Sequence, residues 1–173
     1  MVIRIFYFVI AIFSVAMVYM TLQDPYYSEI LKPDNSIATI GMNDVVDYEI
    51  NATIVSAKYE ADEWNRYKNM DEFLNFRADV LRDDTYHSVI SDKAFYQDET
   101  IKLKGNVRYL NSENLKFVSE EADYNTKTKI ASSSMPFVMT KNEDKIVGNS
   151  LVYDANLKRT YAKGIQAWMQ EKR

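Results

Sequence analysis

Few residues of this chain could make or break bonds, and none is spaced for it. There is no cysteine and one histidine, His87, in 173 residues. Without thiols there is no thiol nucleophile, thiolate metal site or disulfide framework. One imidazole is too little for a zinc or non-haem iron centre. His87 has no Ser or Cys partner at motif spacing. The acid pairs Asp83-Asp84 and Glu120-Glu121 are adjacent, and neighbours on a strand point to opposite faces, so they make poor acid/base partners. The closest glycines, Gly148 and Gly164, lie 16 positions apart, which excludes a GxxxxGK[ST] phosphate loop. The expectation is a protein that is not an enzyme, with no catalytic residue, metal or cofactor. No nucleic-acid partner is expected either. Glu49-Ile50-Asn51-Ala52-Thr53 fits the extended acidic glycosylation sequon of some bacteria; as one short motif it is taken as incidental.

The chain instead repeats a phrase. Residues 118–124 read VSEEADY; ISDKAFY stands 28 positions earlier at 90–96, and VGNSLVY stands 29 later at 147–153. A fainter copy, VSAKYEA, occupies 55–61, a wider step of 35. In each full copy an apolar residue and a small one share a face: Val89 with Ser91, Phe117 with Ser119, Ile146 with Gly148. Strict alternation sends Ala94 and Tyr96 to the other face unless a bulge or bend brings them back. One unit of about 28 residues, two strands and two turns, cannot bury its own face, so neighbours must stack.

The elements around the phrase read as strands. In TIKLKGNVRY at 100–109, Ile101, Leu103, Val107 and Tyr109 alternate with Lys102, Lys104, Asn106 and Arg108. Leu74, Phe76, Ala78 and Val80 alternate similarly. Polar clusters separate the runs, and with 4 Gly and 3 Pro in the chain the turns must rely on Asn and Asp. Residues 62–72 are expected to make one short helical turn, which accounts for the wider first step. Charge is segregated: residues 24–99 hold seven Lys/Arg against seventeen Asp/Glu, whereas 100–173 hold thirteen against eight. Such polarity suits different partners at the two ends, or reflects a solvated surface.

Residues 1–22 carry no charge after Arg4. The apolar run Ile5 to Leu22 is 18 residues, roughly 27 Å as a helix and close to the thickness of a hydrocarbon core. Ser14-Val15-Ala16 would suit a signal peptidase, but the run continues through Met20 where a cleavage region should turn polar. The expectation is an uncleaved single-pass anchor over 1–22. Arg4 precedes it and Asp24 and Glu29 follow, so the N-terminus is cytoplasmic and the bulk lies outside. Residues 23–43 read as a linker, and 44–173 as one β domain.

In order and spacing these features resemble the LptC family of lipopolysaccharide transport proteins, relatives of the OstA-like protein LptA. The resemblance is carried by ISDKAFY with Gly105-Asn106-Val107 nine residues on and by VSEEADYNTKTK leading into ASSSMPF at 131–137. KIVGNSLVYD at 145–154, followed by AKGIQA, and the single N-terminal apolar run add to it. It covers residues 5–22 and about 50–168; the first copy departs by having Ala61 in place of the closing Tyr. It implies an all-β, open β-jellyroll after one transmembrane helix, in the inner membrane with its bulk in the periplasm. The implied partners are lipopolysaccharide, the LptB/LptF/LptG transporter and a soluble LptA-like protein. The last is expected to pair with the C-terminal edge.

A carrier of acyl chains needs a dry trough. Each methylene kept from water is worth about 0.8 kcal/mol, so a dozen-carbon chain left exposed costs on the order of 10 kcal/mol. The alternation nominates Ile54, Val89, Ile101, Leu103, Val107, Tyr109, Leu115, Phe117, Ile130, Phe137, Met139 and Ile146 as its lining. Ser56, Ser91, Ser119 and Gly148 would keep bulk out of the trough or pack strands tightly. Lys102, Lys104, Arg108, Lys158 and Arg159 would meet phosphates or an acidic partner. The same pattern also describes a closed core in a module that only bridges envelope proteins.

Overall fold

The computed structural model describes residues 2–22, 37–51, 53–82 and 84–170. The chain divides into two units, Met1–Asn35 and Ser36–Arg173. The first holds one helix, α1 (Val2–Leu22). Its described side chains, from Tyr7 to Met20, are exposed, and Ser14 Oγ donates to the Ile10 carbonyl at 2.9 Å, one turn back. Within α1 the described side chains are Tyr7, Ile10 and those of residues 12–20, and among the described residues no helix is long and apolar enough to cross a membrane. Residues 23–36 of the expected linker, with Ala52 and Asp83, lie outside the described residues.

The second unit is all-β. Its strands are β1 (Ile40–Asn51), β2 (Ile54–Arg66), β3 (Asp71–Arg82), β4 (Thr85–Gln97), β5 (Thr100–Asn111) and β6 (Leu115–Asn125), then β7 (Ile130–Ser133), β8 (Phe137–Lys141), β9 (Asp144–Gly148), β10 (Ser150–Asp154), β11 (Arg159–Lys163) and β12 (Gln166–Trp168). The first six form an antiparallel meander. At β6 the sheet divides: Asp123–Asn125 pair with β7, and Leu115–Ser119 pair with β8. One limb continues β7-β10-β11 and the other β8-β9-β12. The sheet does not close, and its ends are β1 on one side and β11 and β12 on the other.

A crease crosses the whole sheet. Ladder pairing lapses at Asp62 against Asn75, at Asn75 against Asp92, and at Gly105-Asn106 against Glu120. The later strands break outright on the same line, at residues 134–136, at Asn149 and at residues 164–165. Local chemistry explains the position. Asn75 and Asn106 take positive φ, 52° and 50°, a conformation Asn tolerates better than most residues. Each donates its side-chain amide to the carboxylate of the strand before it: Asn75 Nδ2 to Asp62 at 2.6 Å and Asn106 Nδ2 to Asp92 at 2.8 Å. Gly105 lies at φ +76°, where a Cβ would stand 2.5 Å from Asp92 Oδ2, so only glycine fits.

The repeated phrase is this crease. Each copy places a small buried residue beside a polar one that leaves the ladder: Ser91-Asp92, Ser119-Glu120 and Gly148-Asn149. The first copy is Ala61-Asp62, not VSAKYEA; Ala61 is 6 % exposed, and the steps become 30, 28 and 29. Residues 62–72 accordingly make no helical turn. They finish β2, turn at 67–70 and begin β3, and the apparent step of 35 came from misplacing the copy.

The crease brings Ala94 back. Phase slips by one between Ser91 and Ala94, so residues alternating inward before the bend and after it lie on one side. Phe76, Ala78 and Val107 from one side of the crease share a buried cluster with Ala94 and Leu103 from the other. The sheet is folded on itself, inner face to inner face. Leu74 goes outward and Phe73 inward, because Asn75 stands between Leu74 and Phe76.

Candidate functional site

The inner face is built strand by strand from the register. Val89 stands opposite Ala78 and Tyr109, Tyr109 opposite Phe117, Phe117 opposite Met139, and Met139 opposite Ile146. Beyond the crease Phe73, Ala94, Leu103 and Ala122 make a second apolar row. Between the rows, small side chains line the bend. Ser119 Oγ and Ser133 Oγ share a hydrogen bond at 3.0 Å, and Ser119 also donates to the Pro136 carbonyl at 3.1 Å, which satisfies the hydroxyls where the sheet divides. A Cβ on Gly148 would lie 2.6 Å from the Phe137 ring, so glycine lets that ring seat. Phe137 in turn stacks on Phe117 at 5.7 Å, and Trp64 stacks on Phe73 at 5.6 Å.

Most polar groups on this face are tied down, the buried Trp64 Nε1 being without a hydrogen-bond partner. Tyr109 Oη and His87 Nδ1 lie 2.7 Å apart. Tyr59 Oη donates to Glu49 at 3.4 Å. Burial pushes both phenols above their ordinary pKa, helped at Tyr59 by the charge of Glu49, so both stay neutral across the physiological range. Arg66 holds Asp71 through two bonds, 2.8 and 3.0 Å, and its guanidinium lies 4.8 Å above Trp64.

The face is apolar without being sealed. Among the described residues Val107 is the one large side chain with under 2 % exposure. Tyr59, Phe73, Val89, Ile101 and Ala122 pack against the core only half-buried. What the arrangement offers chemically is a continuous hydrocarbon-compatible surface spanning the crease.

Ten of the twelve nominated lining residues share this face: Val89, Ile101, Leu103, Val107, Tyr109, Leu115, Phe117, Phe137, Met139 and Ile146. Ile54 and Ile130 do not. Ile54 pairs with Asn51 and is 52 % exposed, out of phase with Ala57, and Ile130 is out of phase with Ala131 and Ser133. Both stand at strand starts beside turns, where an apolar residue can face either way. Ser91, Ser119 and Gly148 are buried at the bend; Ser56 is not at it, and its hydroxyl caps the Glu49 carbonyl across β1 and β2 at 3.0 Å. Lys102, Lys104, Arg108, Lys158 and Arg159 are exposed, Lys104 lying 3.7 Å from Glu121. The crease separates Arg108 from Lys102 and Lys104, and Lys158 and Arg159 occupy the hairpin between β10 and β11. The five cations therefore make no single site. Alternation missed Tyr59, Phe73, Ala94 and Ala122; for Phe73 and Ala94 the Asp-Asn pairing at the bend is the signal that restores their phase.

The chain matches a family model described as lipopolysaccharide-assembly, LptC-related, over residues 8–161. No curated protein matches it in sequence. Among solved structures it is similar to LptH from Pseudomonas aeruginosa, the LptA-homologous periplasmic component of a lipopolysaccharide transport device. That similarity has a TM-score of 0.44 and 9 % identity, over 80 % of this chain and 99 % of that one. The family match spans most of the chain, bend and both apolar rows included, and on it the chain belongs to the LptC-related lipopolysaccharide-assembly family.

Proposed function

We propose that the chain takes up the acyl chains of lipopolysaccharide on its inner face. It relays them from the inner-membrane transporter formed by LptB, LptF and LptG to a soluble LptA-like protein. The observation that carries this is the inner face itself: apolar rows on both sides of the crease, closed over at Ala94, Leu103 and Val107 but half-buried at Tyr59, Phe73, Val89, Ile101 and Ala122. A protein that merely bridged others would gain by sealing that surface, since exposed apolar area costs about 25 cal/mol per Å². The folded sheet acts as a β-jellyroll with an open seam, and the work of extraction comes from the transporter's nucleotide hydrolysis.

In this reading α1 anchors the protein in the inner membrane, crossing once with the N-terminus cytoplasmic and the β domain in the periplasm. Its 21-residue length and the absence of charge from Ile5 to Leu22 support the anchor. The domain division at 1–22, 23–43 and 44–173 belongs to the same proposal. A photo-crosslinking side chain at Phe117 or Leu103 is expected to capture lipopolysaccharide in cells, and one at Lys102 to capture none. Absence of lipid at both inner positions, with the protein folded and bound to the transporter, would leave only the bridging role.

A further inference from the structure

The crease leaves the β domain with two walls. Residues 76–82 of β3 and 115–119 of β6 stand on one, and residues 71–74 of β3 and 121–125 of β6 on the other. At the crease the walls are tied by the buried cluster, by the Ser119–Ser133 hydrogen bond at 3.0 Å and by the Phe73 and Phe76 rings at 5.8 Å. Away from the crease each strand pairs within its own wall, and every described ion pair also lies within one wall.

One described hydrogen bond crosses between the walls at the margin opposite the crease. Arg82 Nη1 donates to Tyr124 Oη at 3.2 Å, joining residues 42 positions apart. Arg82 ends β3 on one wall, and Tyr124 stands one residue before the end of β6 on the other. Both lie on the inner face: Arg82 is in phase with Ala78 and Val80, and Tyr124 is opposite Ile101. The bond therefore lies across the mouth of the folded sheet, outside its apolar rows.

The pair is of a kind that comes apart at little cost. The phenol brings no opposite charge to the guanidinium, Arg82 is exposed and Tyr124 half-buried, so water can replace the bond. Arg82 takes part in none of the described ion pairs. Asp47 and Glu49 on β1 face the same interior opposite Tyr59 and Ala57, and Glu49 accepts instead from Tyr59 Oη at 3.4 Å.

We infer that the Arg82–Tyr124 bond is a latch across this mouth, released when an acyl chain enters between the walls. The inference rests on the lipid-carrier reading above and adds a gate to it. The interior is closed over at Ala94, Leu103 and Val107, so a chain gains apolar contact by parting the walls where they are held least. A few methylenes withdrawn from water outweigh one such hydrogen bond.

The absence of native cysteine allows the walls to be bridged selectively. The purified full chain with Arg82→Cys/Tyr124→Cys and a photoreactive side chain at Phe117 is exposed to lipopolysaccharide before and after reaction with a short bismaleimide. Bridging removes the open state and is expected to lower capture on the order of tenfold or more. The same reagent on Ser88→Cys/Leu110→Cys, partners on the outer face of one wall, should leave capture unchanged. Tyr124→Phe deletes only the hydroxyl and should raise capture at low lipid concentration about fivefold. Arg82→Gln should do the same, and the two together no more than either alone. Equal capture by the bridged and unbridged chains overturns the latch and leaves the carrier reading standing. Weaker capture by Tyr124→Phe overturns it too, because the bond would then shape the site rather than close it. No capture by the native chain or any variant sinks the carrier reading and the latch together.

Discussion

Val107→Asp is expected to prevent folding of the β domain. Val107 is 1 % exposed and sits opposite Ser119 beside the bend, in the cluster that joins the two sides of the crease. A carboxylate there has no cation in its cluster to pair with, because the described neighbours there are Phe76, Ala78, Ala94 and Leu103. An unpaired buried charge costs several kcal/mol, a large share of the roughly 5–15 kcal/mol by which domains are stable. Val107→Ala, which removes only methyl groups, should cost about 2 kcal/mol. Urea unfolding followed by circular dichroism separates them: the Ala variant shifts its midpoint and the Asp variant lacks a cooperative transition. An Asp variant as stable as the Ala variant would mean that the bend is wet and the two inner faces do not meet.

Deleting residues 155–173 is expected to abolish binding of a soluble LptA-like partner while leaving transporter binding largely intact. β11 and β12 end the two limbs, each paired on one side only. They carry or adjoin Lys158, Arg159 and Lys163. An incoming strand would add to this edge by main-chain hydrogen bonds. With a net contribution of about 1 kcal/mol per bond, a handful give a loss of two to three powers of ten in affinity. The opposite edge, β1, bears Asp44, Asp47 and Glu49 and is untouched by the deletion. Partner binding by the truncated protein, measured by pull-down with purified components, would place the contact elsewhere.

Much of this fold was legible in the sequence because both faces of the sheet obey period two between bends. The run from Ile101 to Tyr109 shows its strand directly, and the phrase around Ser91, Ser119 and Gly148 marks the crease. Phase across the crease was not legible from hydropathy. The residues that leave the ladder at the bend, Asp62, Asn75, Asp92 and Asn106, are polar, as an outward residue would be, so nothing in an apolar pattern reveals the slip. That is why Leu74 reads as inward and Phe73 as outward, the reverse of their positions. The first copy was missed for a related reason: Ala61 replaces the serine or glycine of the others, and VSAKYEA mimics their opening. Ile54 and Ile130 look like lining because residues next to hairpins are freer to place an apolar side chain outward. The Arg82–Tyr124 contact was invisible for another cause, since its residues stand 42 positions apart and meet only when the sheet is folded.

The central claim is that one apolar surface, continued through the bend, holds the lipid, and a crosslinking scan of β4 tests it most directly. A photoreactive side chain placed singly at each position from His87 to Tyr96 reads the phase of the face that meets lipopolysaccharide. Capture is predicted at 87, 89 and 91 and then at 94 and 96, with the three-residue step falling at Ser91–Ala94. Capture at 93 and 95 in place of 94 and 96, or capture at no position in a folded chain, would contradict it.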